Sequence, residues 1–192
     1  MKSGVRVLGI AESFVDEQST LCGAVVRASR VADGFVFGRC TVGGRDATAA
    51  VLGMVDRLDR ADVRSLLLAG IAPAWFNFFD LPRLHEETGL PVVAVTFEDS
   101  SGLEATLREE FDGEALAWRL ATYRAQPTRE SVSVNGETVF VRQVGCDHAE
   151  ARELLAAFTP DGGRPEPLRV ARLAARAADE RFEDDSGSRS RD

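Results

Sequence analysis

Three cysteines, two histidines and one lysine are all that this chain of 192 residues carries of those types. Cys22, Cys40 and Cys146 are odd in number and form no CxxC pair, so neither a disulfide framework nor a zinc site is indicated. Imidazole is limited to His85 and His148, and both read as structural or surface residues. There is no Ser/His/Asp order, P-loop, GxGxxG or HExxH, which weighs against the hydrolases and nucleotide-binding enzymes built on them. No apolar run approaches the roughly 20 residues needed to span a bilayer. Arg6 interrupts the apolar residues that follow Lys2, so the N-terminus lacks a signal-peptide core. The expectation is a reduced, soluble, cytoplasmic protein with no membrane partner. Basic excess is also missing: 23 Lys+Arg against 31 Asp+Glu give a net charge of −8. Wholesale counterion-release binding to nucleic acid is thereby excluded, and only a local basic stripe remains open.

What is present is a core. Hydrophobic residues make up 44% of the chain, enough for one domain over residues 3–180. The segment 183–192 is polar and low in complexity and is expected to be a disordered tail. Residues 5–10, 21–27 and 35–42 read as strands, with Asp33-Gly34 as the turn of a hairpin in which Cys22 and Cys40 would face each other. Val51, Met54, Val55 and Leu58 recur at helical spacing, and a strand follows over 63–69. A short helix over 80–88 then leads to a strand over 91–96, which makes a parallel βαβ unit. Helices are expected at 103–111 and 114–124. Asn135-Gly136 signals a hairpin, Asp147-x-x-Glu150 a capping box, and Pro165 the start of a last helix to about Ala178. Three antiparallel strands, a helix and a parallel βαβ unit form an α/β ribonuclease H-like mixed sheet, here with an added C-terminal hairpin.

Five segments carry a family resemblance. They are Val7-Leu8-Gly9-Ile10 followed by acids, Gly43-Gly44-Arg45-Asp46-Ala47-Thr48, Leu68-Ala69-Gly70-Ile71 leading to Trp75–Asp80, Thr88–Val93, and Pro165–Ala171. In this order the chain resembles an archaeal family first defined as a domain of unknown function and also called the endonuclease dU family. That family is in turn similar to endonuclease V, a magnesium-dependent nuclease of ribonuclease H-like fold. The resemblance implies a hydrolase that nicks DNA at deoxyuridine or another deaminated base, with Mg²⁺ held by carboxylates. It also marks departures. Ala11 stands where such nucleases carry a strand-end aspartate, Ala69 where endonuclease V has another, and Arg172 where both families tend to carry histidine.

The candidate acids that remain are Glu12 and Asp46 as metal ligands, with Asp80 as a third catalytic group. Asp46 and Asp80 also read as helix N-caps. Trp75 and Phe76 are candidates to stack an extruded base, with Asn77 reading its polar edge; the alternative is that most of these rings are core and that Asn77 bonds loop backbone. Arg169, Arg172 and Arg176, spaced on one helix face and joined by Arg164, are candidates to touch phosphate. A catalytically reduced module that binds nucleic acid or protein on the same fold is the alternative, favoured by Ala11 and Ala69. The two readings part on geometry, because Glu12 and Asp46 must face the same side of the sheet to share an ion.

Overall fold

The computed structural model describes the backbone of residues 1–189 and the side chains of residues 1–180. Its centre is a mixed seven-stranded sheet. Strands β1 (Arg6–Val15), β2 (Gln18–Arg27) and β3 (Ala32–Thr41) form an antiparallel meander. Helix α1 (Ala47–Leu58) crosses to β4 (Val63–Ala69), which pairs parallel to β1. A short segment α2 (Pro73–Phe76) and helix α3 (Leu81–Thr88) lead to β5 (Val92–Thr96), parallel to β4. Helices α4 (Glu104–Glu110) and α5 (Gly113–Arg124) precede the hairpin β6 (Glu130–Val134) and β7 (Glu137–Val144). Strand β7 pairs antiparallel to β5, so the order is β3-β2-β1-β4-β5-β7-β6. Helices α6 (His148–Phe158) and α7 (Glu166–Arg189) end the fold.

Alternation along β1 divides the core. Leu8 and Ile10 join Leu66, Leu68, Val51 and Met54 on one face. Val7 and Ala11 join Leu67, Val93, Val95 and the apolar stripes of α6 and α7 on the other. Both faces of the central strands are therefore dry, which is why their sequences run nearly continuously apolar. Helix α7 lies directly on β1. A Cβ added at Gly9 would stand 2.6 Å from the Pro167 carbonyl carbon, so only glycine admits the helix at this depth.

The sequence placed most elements within two or three residues. The Asn135-Gly136 turn has both residues at positive φ, and the Asp147/Glu150 capping box is formed. Three expectations need correction. First, β1 does not stop at Ile10 but continues to Val15, which puts Glu12 inside the strand. Second, Asp33-Gly34 is not a turn. The chain reverses over 28–31, with Arg30 at φ 70°, and Asp33 falls where the β2–β3 register shifts. The Asp33 carboxylate there accepts hydrogen bonds from Arg27, Arg6 and Arg60. A partly exposed acid surrounded by three guanidinia resembles a turn aspartate when only its neighbours in sequence are visible. Third, Cys22 pairs with Phe37 and Cys40 with Ser19, so the two thiols are offset in register. Both are buried and free. Helix α7 runs past the Ala178 boundary, and the tail expected over 183–192 falls outside the residues described with side chains. No helix among the described residues is long and apolar enough to cross a membrane.

The hydrogen bonds from Arg27 and Arg6 hold the Asp33 carboxyl well below the usual carboxylate range. A depressed folded value means the stabilisation is complete above the unfolded pKa of about 3.9 and disappears as pH falls below it. Asp33→Asn should therefore lower Tm at neutral pH. Its Tm gap from wild type should close as pH drops through the region beneath about 4, as read by calorimetry across pH. A gap independent of pH would show that the acid's charge contributes nothing.

Candidate active site

The site is built where β1, β3, α1 and the chain after β4 meet. Beyond Pro73 the backbone makes a left-handed turn, with Ala74 at φ 46°, Trp75 at φ 56° and Phe76 at φ 59°. Left-handed backbone costs L-residues roughly 1–2 kcal/mol each, so three in succession need firm external restraint. Glu12 supplies one restraint, its Oε2 accepting from the Ala74 N–H at 2.8 Å and from Ser19 Oγ at 2.7 Å. The Ala74 carbonyl accepts from the Gly43 N–H at 2.7 Å, and the Pro73 carbonyl from the Asn77 N–H at 2.9 Å. The turn buries Pro73 and Ala74 and leaves Trp75 52% exposed. Phe76 packs edge-on against Phe111, with ring centroids 5.8 Å apart, and Phe78 and Phe79 are buried core. Of the four neighbouring aromatics, only Trp75 presents a large free surface.

Asn77 cannot read a base edge. It is completely buried. Its Nδ2 donates to the Thr41 carbonyl at 2.8 Å and to Asp46 Oδ1 at 2.6 Å, and its Oδ1 accepts from the Ala47 N–H at 3.0 Å. Asn77 thus performs the capping duty expected of Asp46. The Asp46 carboxylate turns back instead, accepting from Thr41 N–H and Oγ1. Burial alone would raise the Asp46 carboxyl, but the hydrogen bonds from Asn77 and Thr41 outweigh it and keep the group ionised. Asp80 does cap its helix, accepting from the Arg83 N–H at 3.1 Å. Asp80 is committed to that cap and does not join the other two acids.

Glu12 shares the sheet face of Leu8 and Ile10, which is the face covered by α1. Asp46, at the start of α1, is on that side as well. Both carboxylates raise the pKa of the Cys40 thiol, which burial first and then these charges push up to about 12. Cys22 is likewise raised to about 12, and Cys146 to about 11, by burial. The thiols therefore stay protonated at neutral pH.

The two acids fit the lower limit for a magnesium site. Magnesium is commonly held by one or two carboxylates, with water and substrate phosphate completing the shell. Glu12 Oε1 accepts no hydrogen bond among the described residues, and three donor groups meet the two oxygens of Asp46. No group of three or more His, Cys, Asp or Glu side chains placed to hold a metal occurs among the described residues.

At the carboxyl ends of β4 and β5, with neither of these acids in its lining, a cavity of about 350 Å³ opens to the surface. Arg129, Arg142, Arg164 and Arg172 line it, together with Phe97, Tyr123 and Phe140. Of the arginines expected on α7, Arg172 reaches this cavity, whereas Arg169 is paired with Glu166 at 2.6 Å. Arg169, Arg172 and Arg176 border a shallow groove that continues from it. Sequence reasoning missed Arg129, Arg142, Phe97, Tyr123 and Phe140. They come from four separate stretches, and only Phe140 and Arg142, two apart on β7, share one.

A model of the family described as endonuclease dU matches residues 3–179. A UPF0215 protein of Thermococcus kodakarensis is 36% identical over 187 residues, covering 92% of this chain and 93% of its own. A crystal structure of a protein of unknown function from Archaeoglobus fulgidus superimposes with a TM-score of 0.81 at 28% identity, covering 90% and 97% of the two chains. Human ENDOV gives 0.66 at 16% identity, covering 93% and 85%. Endonuclease V of Ciona intestinalis, in complex with a 24mer DNA containing an inosine followed by a ribo-adenosine, gives 0.62 at 12%, covering 92% and 87%. These last two likenesses show the fold, a ribonuclease H-like mixed sheet.

Asn77→Ala should lower stability by about 3 kcal/mol or more, because it strands a buried N–H, a carbonyl and part of a carboxylate. Trp75→Ala should cost less than about 1 kcal/mol, since the ring is half exposed and packs mainly on Phe76. Denaturant unfolding of both variants checks this. Equal, small losses would show that the turn does not depend on the Asn77 amide.

Proposed function

Because the chain belongs to the endonuclease dU family, we propose that it is a metal-dependent endonuclease that cuts DNA at deoxyuridine or another deaminated base. The observation that carries this reading is the placement of Glu12 and Asp46 on one side of the sheet, with Glu12 holding the turn that displays Trp75. Glu12 and Asp46 would hold Mg²⁺. When bound, the ion would lower the pKa of water and stabilise the leaving oxygen. Asp46 stays ionised through the bonds from Asn77 and Thr41, so it keeps the negative charge that a magnesium ligand needs. Trp75 offers an exposed indole on a rigid mount, the arrangement needed to stack a base drawn out of a duplex. Arg172 contacts phosphate at the neighbouring cavity. The Ciona endonuclease V complex, of the same fold, supports DNA carrying a deaminated base as the substrate class.

A second reading, a binding module that has lost cleavage, is favoured by Ala11, Ala69 and the lack of a third acid among the described residues. A nicking assay separates them, using uracil-containing, hypoxanthine-containing and undamaged DNA, with and without Mg²⁺, at low and high salt. Salt is varied because phosphate contacts weaken steeply with it. The nuclease reading expects cleavage of a deaminated substrate only with Mg²⁺. Glu12→Gln keeps an acceptor for Ala74 and Ser19 but removes the charge, so Tm should hold while cleavage falls by roughly 100-fold or more. Trp75→Ala should weaken binding by about 1–3 kcal/mol with the fold intact. DNA binding without Mg²⁺-dependent cleavage of any substrate would establish the binding module instead.

A further inference from the structure

The arginine-lined cavity has chemistry of its own. Four guanidinium groups line it against one acid among the described residues, Glu98, in a protein whose net charge is −8. None of the four forms an ion pair with a described carboxylate. Arg129 donates to the carbonyls of Ser100 and Glu98, and Arg142 to the Pro127 carbonyl and the Tyr123 hydroxyl. Neutral acceptors orient these groups and leave their charges uncompensated. Each aromatic ring is also engaged. Arg129 lies over Phe140 at 4.0 Å, Arg164 over Phe97 at 4.3 Å and Arg142 over Tyr123 at 5.2 Å. The rings serve as mounts for guanidinia, fixing their planes by cation–π contact. Burial disfavours the charge on Arg142, and Arg129 opposes it as well. An anion would relieve both effects.

The kind of anion follows from size and charge. About 350 Å³ is near the low end of ligand sites, which span roughly 300–1,000 Å³, so it admits one small molecule or one chain end. A phosphodiester inside a strand carries a single charge. A phosphate monoester carries about −1.5 to −2 at neutral pH and presents three acceptor oxygens, a closer match to several convergent guanidinia.

We propose that this cavity binds a nucleotide through a phosphate monoester, presented by a free nucleoside monophosphate or by the phosphorylated end of a strand. Neither Glu12 nor Asp46 lines the cavity, so binding there does not require them.

The test uses the full-length protein, with binding read by thermal shift and by competition against a fluorescent oligonucleotide. The probes are deoxyuridine 5′-monophosphate, deoxyuridine, and one single-stranded oligonucleotide with either a 5′-phosphate or a 5′-hydroxyl. The monophosphate should raise Tm and bind at least about tenfold tighter than the nucleoside, since charge-assisted guanidinium bonds dominate. Arg164→Gln combined with Arg172→Gln, both exposed at the rim, should leave ligand-free Tm unchanged and weaken the monophosphate by about tenfold or more. A 5′-phosphorylated strand that binds about tenfold better than its hydroxyl twin assigns the site to strand ends. Equal strands, with the monophosphate still binding, assign it to free nucleotides. Glu12→Gln should bind the monophosphate as wild type does, so loss of cleavage in that variant bears on the nuclease reading alone. Three results would overturn the proposal: nucleoside and monophosphate binding alike, no binding of the monophosphate, or a folded double variant that binds it like wild type.

Discussion

One buried amide fixes the geometry on which the acidic site depends. The Asn77 side chain joins the end of β3 and the start of α1 to the segment after β4, some thirty residues further along the sequence. A buried amide with all its partners in place tolerates little displacement, because each lost bond leaves a dry polar group behind. The left-handed turn, the orientation of Asp46 and the exposure of Trp75 all follow from that clasp. Glu12 adds a second tie from β1 and so couples a charged group directly to the backbone that displays the indole. The same carboxylate proposed to hold the ion also helps set the position of the aromatic side chain.

The fold was largely legible because its signals are local. Period-two and period-3.6 patterns, Asn135-Gly136 and the Asp147/Glu150 box each act within a few residues, and the structure has each of them. The errors share a different cause. Asp33 looks like a turn residue until Arg6, Arg27 and Arg60 arrive from three other elements. Asp46 looks like an N-cap until Asn77 takes over that bond from thirty residues away. Asn77 itself, placed among aromatics, looks like a recognition residue until its burial is seen. In every case a polar side chain found a distant partner, and no sequence spacing encodes such a partner.

Charge is distributed with similar economy. The surplus of acid would repel a polyanion at long range, and salt at physiological strength screens that repulsion beyond about 8 Å. Within that distance the local arginines govern. On α7 the apolar stripe of Leu168, Ala171 and Ala175 faces the sheet, while Arg169, Arg172 and Arg176 face outward. One helix thus closes the second core and supplies the basic groove. Arg169 is neutralised by Glu166, and the free charge is concentrated toward the cavity mouth.

The contact between Gly9 and Pro167 has a consequence for how the protein is made. Strand β1 is synthesised well before α7, yet one of its faces, bearing Val7 and Ala11, is covered by that helix. Until nearly the whole chain has been synthesised, the central strand of the sheet has no lid on that side. The nascent protein carries an open apolar face until α7 is made, the kind of transiently exposed surface that favours aggregation over folding.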